Sequence, residues 1–441
     1  MCPAAPVRLE FADDMFARGH RGVGSPVVSQ RVWRLSEPYD DVRLREVADA
    51  LARGRLARRL DRALLPGARD AWTPSDTPPV VALCHEVIPA HGVVGWLQER
   101  QRDHLDPHEG LSWRLAAVDT DDGGSVVSLA VAHAVADGAS IKDSLVSVAT
   151  GTDPLALPPA PRGLARLPGD LADIAGQVGA IGGWAMARLR AKRSGTLPAA
   201  TTAPAVPEPI PNPDADAWQP PLIVAELDTE AVAAVASRHG GSSNAWFVAV
   251  AASLLEAIGH TAAEGPIPVS LPVSGFTGDA RANSTRIARV EVPRDALACR
   301  DLAAIKAACK AAYTRLDNAG PGLSPIPLAL VQMLPDAVLR RLPQPPAAAC
   351  LASNNGALPD AFVDVWGAKV RAVSTFGTYQ EMTADDARRL GGGLLMWHAA
   401  AGPRTTLTLI PAEPDRVPDP VAFGRLVLGT LASWGLDATL W

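Results

Sequence analysis

Residues 197–221 read LPAATTAPAVPEPIPNPDADAWQPP. Proline has no backbone N–H and a fixed φ, so neither a helix nor an inner strand runs through such a segment. Residues 153–168, DPLALPPAPRGLARLP, carry the same constraint. Both are expected to be extended, semi-rigid linkers without periodic structure. Between them, Gly169–Arg193 places apolar residues at helical spacing and ends in basic residues, which suits the negative end of a helix dipole. It reads as a surface or bridging helix; a membrane-surface role is disfavoured because the cations lie at one end only. The linkers divide the 441-residue chain near residue 200 into two halves of comparable size, 1–196 and 222–441. A chain of that length suits two or three units of about 100–200 residues rather than one small core.

Each half mixes strand and helix patterns. In the first, strands are expected at Val28–Leu35, Val80–Val87, Trp113–Val118 and Val126–Ala132, with helices at Asp41–Arg53, Val93–Arg102 and Ala139–Ala149. In the second, strands are expected at Leu222–Leu227, Ile267–Val273, Arg286–Val292, Ala348–Ser353, Lys369–Ser374, Gly393–Ala399 and Thr405–Ile410. Helices are expected there at Thr229–His239, Ser243–Ile258, Asp301–Leu316, Leu328–Leu342 and Val421–Trp434. This alternation predicts an α/β fold of two similar layered halves placed side by side.

Composition removes several function classes. Hydrophobic residues make up 48% and charged residues 20%, enough to bury a sizeable core. The net charge of -6, without a long basic block, argues against nucleic acid. The densest basic stretch, Arg53–Arg62 (RGRLARRLDR), has a helical pattern and reads as a solvated helix face or a set of internal ion pairs. The five cysteines Cys2, Cys84, Cys299, Cys309 and Cys350 are scattered and form no CxxC, which disfavours a disulfide framework or a zinc site and suits a reducing cytoplasm. The N-terminal MCPAAPVRLEFADD lacks the charged-then-apolar pattern of a signal peptide, and Trp246–Ile258, interrupted by Glu256, is too short to span a bilayer. A soluble cytoplasmic protein is the expectation.

One stretch carries chemistry. Residues 126–140, VVSLAVAHAVADGAS, are an apolar run ending on His133, followed four residues later by Asp137-Gly138. Val127, Leu129, Val131 and His133 share one parity, which projects them from one strand face. A histidine at a strand end, with an unperturbed pKa near 6.5, suits a proton acceptor at neutral pH. Asp137 is placed to orient the imidazole, cap the following helix or pair with an arginine. Gly138 is expected to supply a backbone angle that other residues resist. Taken alone, the pattern better suits a satisfied histidine at a turn, with Asp137 simply an N-cap.

The segment AHAVADG resembles the HHxxxDG motif of the CoA-dependent acyltransferase superfamily, with Ala132 where many members have a first histidine. That superfamily includes peptide-synthetase condensation domains, wax-ester synthase/diacylglycerol acyltransferases, polyketide-associated acyltransferases and plant BAHD acyltransferases. Other segments match in order. Residues 104–118 (HLDPHEGLSWRLAAV) resemble the stretch before the histidine strand. Residues 241–258 resemble a helix that opens with an N-D pair, here Asn244 and Ala245. Residues 268–274, Asn283 and Pro293 resemble the strand-loop-strand that follows, and SNNGALP (353–359) resembles an SN-x-G segment. The resemblance runs from about residue 25 to the C-terminus. More than half of the chain follows His133, unlike chloramphenicol acetyltransferases, which carry the motif near the end.

The resemblance implies two chloramphenicol-acetyltransferase-like halves in one monomer, with a substrate tunnel between them. It implies acyl transfer from a thioester to a small alcohol or amine acceptor, without an acyl-enzyme, in lipid or specialised-metabolite biosynthesis. The co-substrate would be acyl-CoA or a phosphopantetheine-linked acyl group on an acyl or peptidyl carrier protein; no bound cofactor or metal is implied. His133 would be the base, with Asp137 and Gly138 structural; in relatives the aspartate pairs with an arginine, for which Arg58, Arg59 and Arg286 are the candidates. Backbone N–H groups near Gly138, together with Ser353, Asn354 and Asn355, are oxyanion or tunnel candidates, and His398 is a tunnel candidate whose simpler reading is a packed strand residue. His85 has the same simpler reading. His104 and His108 read as solvent-facing, and Cys84 and Cys350 as small core residues. A free-standing condensation enzyme is the closest variant, and a non-catalytic recruitment module the competing class.

Overall fold

The computed structural model describes residues 6–152, 157–159, 161, 163–195, 206–212, 218–279, 281–318, 324–342 and 348–441. Parts of both proline-rich stretches (153–156, 160, 162, 197–205 and 213–217) lie outside the described residues. The first stretch is less aperiodic than expected. Gly163–Arg166 forms a 3-10 turn, and a helix runs over Leu167–Arg193, with Pro168 in its first turn where a missing N–H costs nothing.

In chain order the strands are β1 (Val7–Arg8), β2 (Val27–Leu35), β3 (Arg58–Asp61), β4 (Ala71–Pro74), β5 (Val80–Ile88), β6 (Trp113–Thr120), β7 (Ser125–Ala132), β8 (Ile223–Asp228), β9 (Ile267–Ser274), β10 (Thr285–Val292), β11 (Cys350–Ala357), β12 (Val370–Tyr379), β13 (Leu394–Ala401), β14 (Arg404–Pro411) and β15 (Ala438–Leu440). They form a small sheet β1-β4-β3, a five-stranded sheet β12-β2-β7-β6-β5 and a seven-stranded sheet β10-β9-β11-β13-β14-β8-β15. Both larger sheets are mixed, with β5/β6, β9/β11 and β11/β13 parallel and the other pairs antiparallel.

The alternation of patterns thus yields mixed sheets with packed helices, the expected α/β class. One strand changes sides. The sequence of β12 belongs to the second half, yet it pairs antiparallel with β2 from Val370↔Leu35 to Tyr379↔Val27, closing the edge of the first-half sheet. Its other contacts go back to the larger sheet: Thr406 Oγ1 donates to Val373 O at 2.7 Å, and the hydroxyls of Ser374 and Thr408 lie 2.6 Å apart. Strand pattern says that a segment pairs, not with which edge, so this exchange is invisible in the sequence.

Two cores flank the sheets and a third joins them. On one face of the five-stranded sheet, Trp33, Leu115, Leu129 and Val131 pack with Leu44, Val47, Ile141 and Leu145 from helices Asp41–Leu51 and Gly138–Thr150. In the second half the helix Ser243–Ala257 is apolar nearly all round and buried from Ala245 to Ala252, as expected for an element enclosed on every side. Val32, Val118 and Val126 meet Leu222, Val224 and Ile410 in the joining core. Covered on both faces, β7 is buried at all eight positions, so its side-chain parity separates no solvent face from a core face.

Several elements depart from expectation. The helix Phe11–Gly19 and the small sheet are additions to the expected elements. Arg53–Arg62 is not a solvated helix face: Arg58–Asp61 is strand β3, and Arg55 and Arg58 are buried. The Arg55 guanidinium reaches the carbonyl of Asp279 at 2.5 Å, while that of Arg58 lies over the Trp72 ring, 5.5 Å from its centroid. Finally, Leu328–Leu342 is not one helix but two short ones, Leu328–Met333 and Asp336–Leu339. Pro335 forces Leu334 into an extended conformation between them.

Candidate functional site

His133 stands where β7 gives way to a turn, and its own N–H donates to Val27 O at 2.8 Å. The turn ends at Asp137, the N-cap of helix Gly138–Thr150, whose side chain accepts from Ser140 N at 2.9 Å. The segment leading into β10 closes over the turn from the second half. Asp137 N donates to Ala282 O at 3.0 Å, and Asp137 Oδ2 accepts from Ser284 N at 2.9 Å, Thr285 Oγ1 at 3.1 Å and Ser284 Oγ at 3.3 Å. Burial works against the charge of Asp137, but these donors hold its pKa below the ordinary carboxylate value. Asp137 therefore binds the two halves together at the turn.

The candidate arginine partners are a correction. Arg286 pairs with Asp317 at 3.0 Å, Arg58 stacks on Trp72, and Arg59 sits in β3 opposite Thr73. None of the three bonds to Asp137 among the described residues. With four donors on its oxygens, Asp137 needs no guanidinium in contact, and the arginines that feel its charge are Arg31 and Arg55.

The structure gives Gly138 a different role than expected. Its φ is not positive. An added Cβ would instead lie 3.0 Å from Arg31 Nη2 and 3.8 Å from Asn355 Oδ1. The glycine leaves room for the Arg31 guanidinium facing the turn.

The protonation geometry of His133 follows from a single amide. Asn283 Nδ2 donates to His133 O at 2.9 Å, to Asp13 Oδ1 at 3.0 Å and to Ala134 O at 3.3 Å. All three are acceptors, so the carbonyl end of the amide must face the imidazole. Asn283 Oδ1 lies 3.0 Å from His133 Nδ1. That nitrogen therefore carries the proton, and the lone pair is on Nε2. The Phe16 ring stacks on the imidazole at 4.2 Å between centroids, with 28° between planes. Asp13, fully buried, also accepts from Asn283 N at 2.9 Å and from Trp72 Nε1 at 3.4 Å, and anchors the amide from behind. Burial lowers the pKa of His133 below its ordinary value, and the ring is neutral at physiological pH.

The other candidates separate. Asn355 is brought to the site: its Nδ2 donates to Thr375 Oγ1 at 2.8 Å, which turns Oδ1 toward Gly138. Asn354 Nδ2 donates to Asn244 Oδ1 at 2.8 Å, and Asn244 Nδ2 to Tyr313 OH at 3.4 Å. These groups line a cavity of about 340 Å³ with Leu271, Ser274 and Asn355. It opens where β9 and β11 part, since Leu351↔Ser270 is their one paired position. Ser353 sits half-buried in β11, opposite Trp397. His398 packs in the core 5.5 Å from Phe247, and burial lowers its pKa to about 4.

His85 is exposed on edge strand β5 rather than packed, Cys84 is half-buried beside it, and Cys350 is buried. His104 is exposed, but His108 is half-buried with Nε2 3.5 Å from Arg21 Nη1. His104, Asp106 and Glu109 hold ligand atoms within 4.8 Å of one another on this turn, a gathering common among exposed acidic groups without an ion.

Sequence reading missed Asp13, Phe16 and Arg31. Only Arg31 carries a local signal, a charge inside the apolar strand VVSQRVWRL. The resemblance marks the position of Asn283, but nothing local shows its hold on the imidazole.

No protein-family model matches the chain, and no curated protein matches it. Solved structures do. The first condensation domain of the calcium-dependent antibiotic synthetase, in complex with a substrate analogue, aligns with a TM-score of 0.60 at 17% identity, over 98% of this chain and 97% of that one. The wax ester synthase/diacylglycerol acyltransferase from Marinobacter aquaeolei VT8 aligns with a TM-score of 0.55 at 14% identity, over 97% and 100%. Polyketide synthase associated protein 5 from Mycobacterium tuberculosis aligns with a TM-score of 0.53 at 16% identity, over 98% and 99%. At these identities the likeness establishes the fold: the chain is built, over nearly its whole length, as condensation domains and these acyltransferases are built. No helix among the described residues is long and apolar enough to cross a membrane.

Proposed function

We propose that the protein is an acyltransferase that moves an acyl group from a thioester, on CoA or a carrier protein, to a hydroxyl or amine acceptor. The observation that carries this reading is the fixed tautomer of His133. Asn283 Oδ1 holds Nδ1–H, so the lone pair of Nε2 is available to a substrate. Depressed by burial, the imidazole is unprotonated and ready to accept a proton near pH 7. As the acceptor oxygen or nitrogen attacks the thioester carbonyl, Nε2 takes its proton. Collapse of the tetrahedral intermediate breaks the C–S bond, and the proton passes to the departing thiolate. No acyl-enzyme forms. The cavity between β9 and β11 offers room for the acyl group, and the fold brings both halves to one histidine, which supports transfer between two bound substrates.

Incubation with a panel of acyl-CoA and acyl-carrier donors and candidate acceptors, read by intact-mass spectrometry of the products, tests the reading. Wild type should give an ester or amide, and His133→Ala should give none while melting as wild type does. Full turnover by a folded His133→Ala protein would overturn the assignment.

A further inference from the structure

Arg31 lies in the middle of β2 and is 95% buried, with 5% of its surface exposed. Its Nη1 donates to the backbone carbonyls of Gln30 at 2.9 Å and Phe376 at 3.4 Å. Among the described residues Nη2 and Nε donate to nothing, and no carboxylate touches the guanidinium. The carboxylate whose charge it feels, Asp137, has its oxygens taken by Ser140, Ser284 and Thr285. A buried cation without an anion in contact is costly, and its usual resolution is a counter-charge.

The free Nη2 points at the start of helix Gly138–Thr150, 3.0 Å from where a Cβ of Gly138 would be. In that first turn Ser140 N and Ile141 N are satisfied by Asp137, which leaves Gly138 N and Ala139 N without a partner among the described residues, and both residues are half-buried rather than sealed. A thirteen-residue helix adds the positive end of its dipole at the same place. Asn355 Oδ1, an acceptor, lies 3.8 Å from the same point.

We propose that Arg31 Nη2 and the first-turn amides of the Gly138 helix bind the carboxylate of an acceptor substrate, and that Asn355 Oδ1 receives its amine, so that the acceptor class is an α-amino acid. A guanidinium matches a carboxylate through two parallel N–H donors, which a transient oxyanion does not require. The catalytic meaning rests on His133 as the base: a carboxylate anchored beside Gly138 delivers the neighbouring amine to the same turn.

Binding is tested without turnover. The ring ¹⁵N resonances of His133 and the melting temperature are followed while wild type is titrated with L-alanine, L-alaninamide or propionate. L-Alanine is expected to shift the resonances saturably and raise the melting temperature. L-Alaninamide is expected to do neither, and propionate to bind more weakly than L-alanine. In Arg31→Gln the affinity for L-alanine should fall about tenfold or more, as for loss of a charge-assisted hydrogen bond. Arg31→Lys keeps the charge without the fork and should fall less; it carries the comparison if the glutamine variant does not fold. His133→Ala should keep L-alanine binding by melting temperature, so loss of acyl transfer and loss of this site are told apart. Equal response to L-alanine and L-alaninamide, or an unchanged affinity in both Arg31 variants, overturns the carboxylate site. Propionate binding as tightly as L-alanine overturns the role of Asn355. No binding by wild type, with slowed turnover in Arg31→Gln, overturns it in favour of an oxyanion donor.

Discussion

Replacing Asn283 by alanine should separate the tautomer argument from mere packing. The side chain holds His133 Nδ1 at 3.0 Å through Oδ1, and its Nδ2 serves Asp13 Oδ1 at 3.0 Å, His133 O at 2.9 Å and Ala134 O at 3.3 Å. Asp13 keeps the backbone N–H of residue 283, so the stranded groups are chiefly two carbonyls and one imidazole N–H. At about 1 kcal/mol for each buried group left without a partner, the loss of stability is roughly 3 kcal/mol. For activity, the bond that selects the tautomer is worth about 1 kcal/mol, so kcat/KM should fall about fivefold to tenfold. The pH profile distinguishes the causes. The Asn283 bond favours the protonated ring, so its removal lowers the His133 pKa further. The ascending limb of kcat/KM, which follows deprotonation of the base, should therefore move to lower pH while its plateau drops. Thiol release from an acyl thioester, measured across pH alongside thermal unfolding, reads both effects. A variant that loses stability but keeps the wild-type plateau and limb would refute the reasoning.

The remaining predictions are simpler. Asp137→Ala should cost about 2–4 kcal/mol in chemical denaturation, because it removes a helix cap and strands the donors of Ser284 and Thr285, and activity should fall with it. The folded pKa of Asp137 is depressed, so its contribution is present above the unfolded value near 3.8 and is lost as pH falls through the folded value; Asp137→Asn should flatten that acid limb of stability. Gly138→Ala should displace the Arg31 guanidinium, the movable end of a side chain, and cost only about 1 kcal/mol while lowering kcat/KM; a loss of stability without a loss of rate would show that the cleared space serves packing alone.

Local signals carried much of this architecture. The run VVSLAVA followed by HAVADG marks a buried strand, a turn and a capped helix, because a strand end, an Asx cap and a helix start are written in adjacent residues. The same holds for Ser243–Ala257, whose apolar residues on every side announce a fully enclosed helix. Errors arose where a distant partner overrides the local pattern. RGRLARRLDR has helical spacing, but Trp72 and the carbonyls of a second-half loop draw its arginines inward and β4 draws part of it into a sheet.

At the site the division is the same. By itself, the sequence determined that a histidine, an aspartate and a glycine share one turn at the end of a buried strand. Only tertiary structure decided what each does. Asn283, 150 positions away in sequence, sets which nitrogen of His133 is free. Ser284 and Thr285, rather than an arginine, take the charge of Asp137. Arg31, from a neighbouring strand, explains why residue 138 has no side chain. Hydrogen-bond geometry is a property of atoms within about 3 Å, and chain order places no limit on which residues supply them.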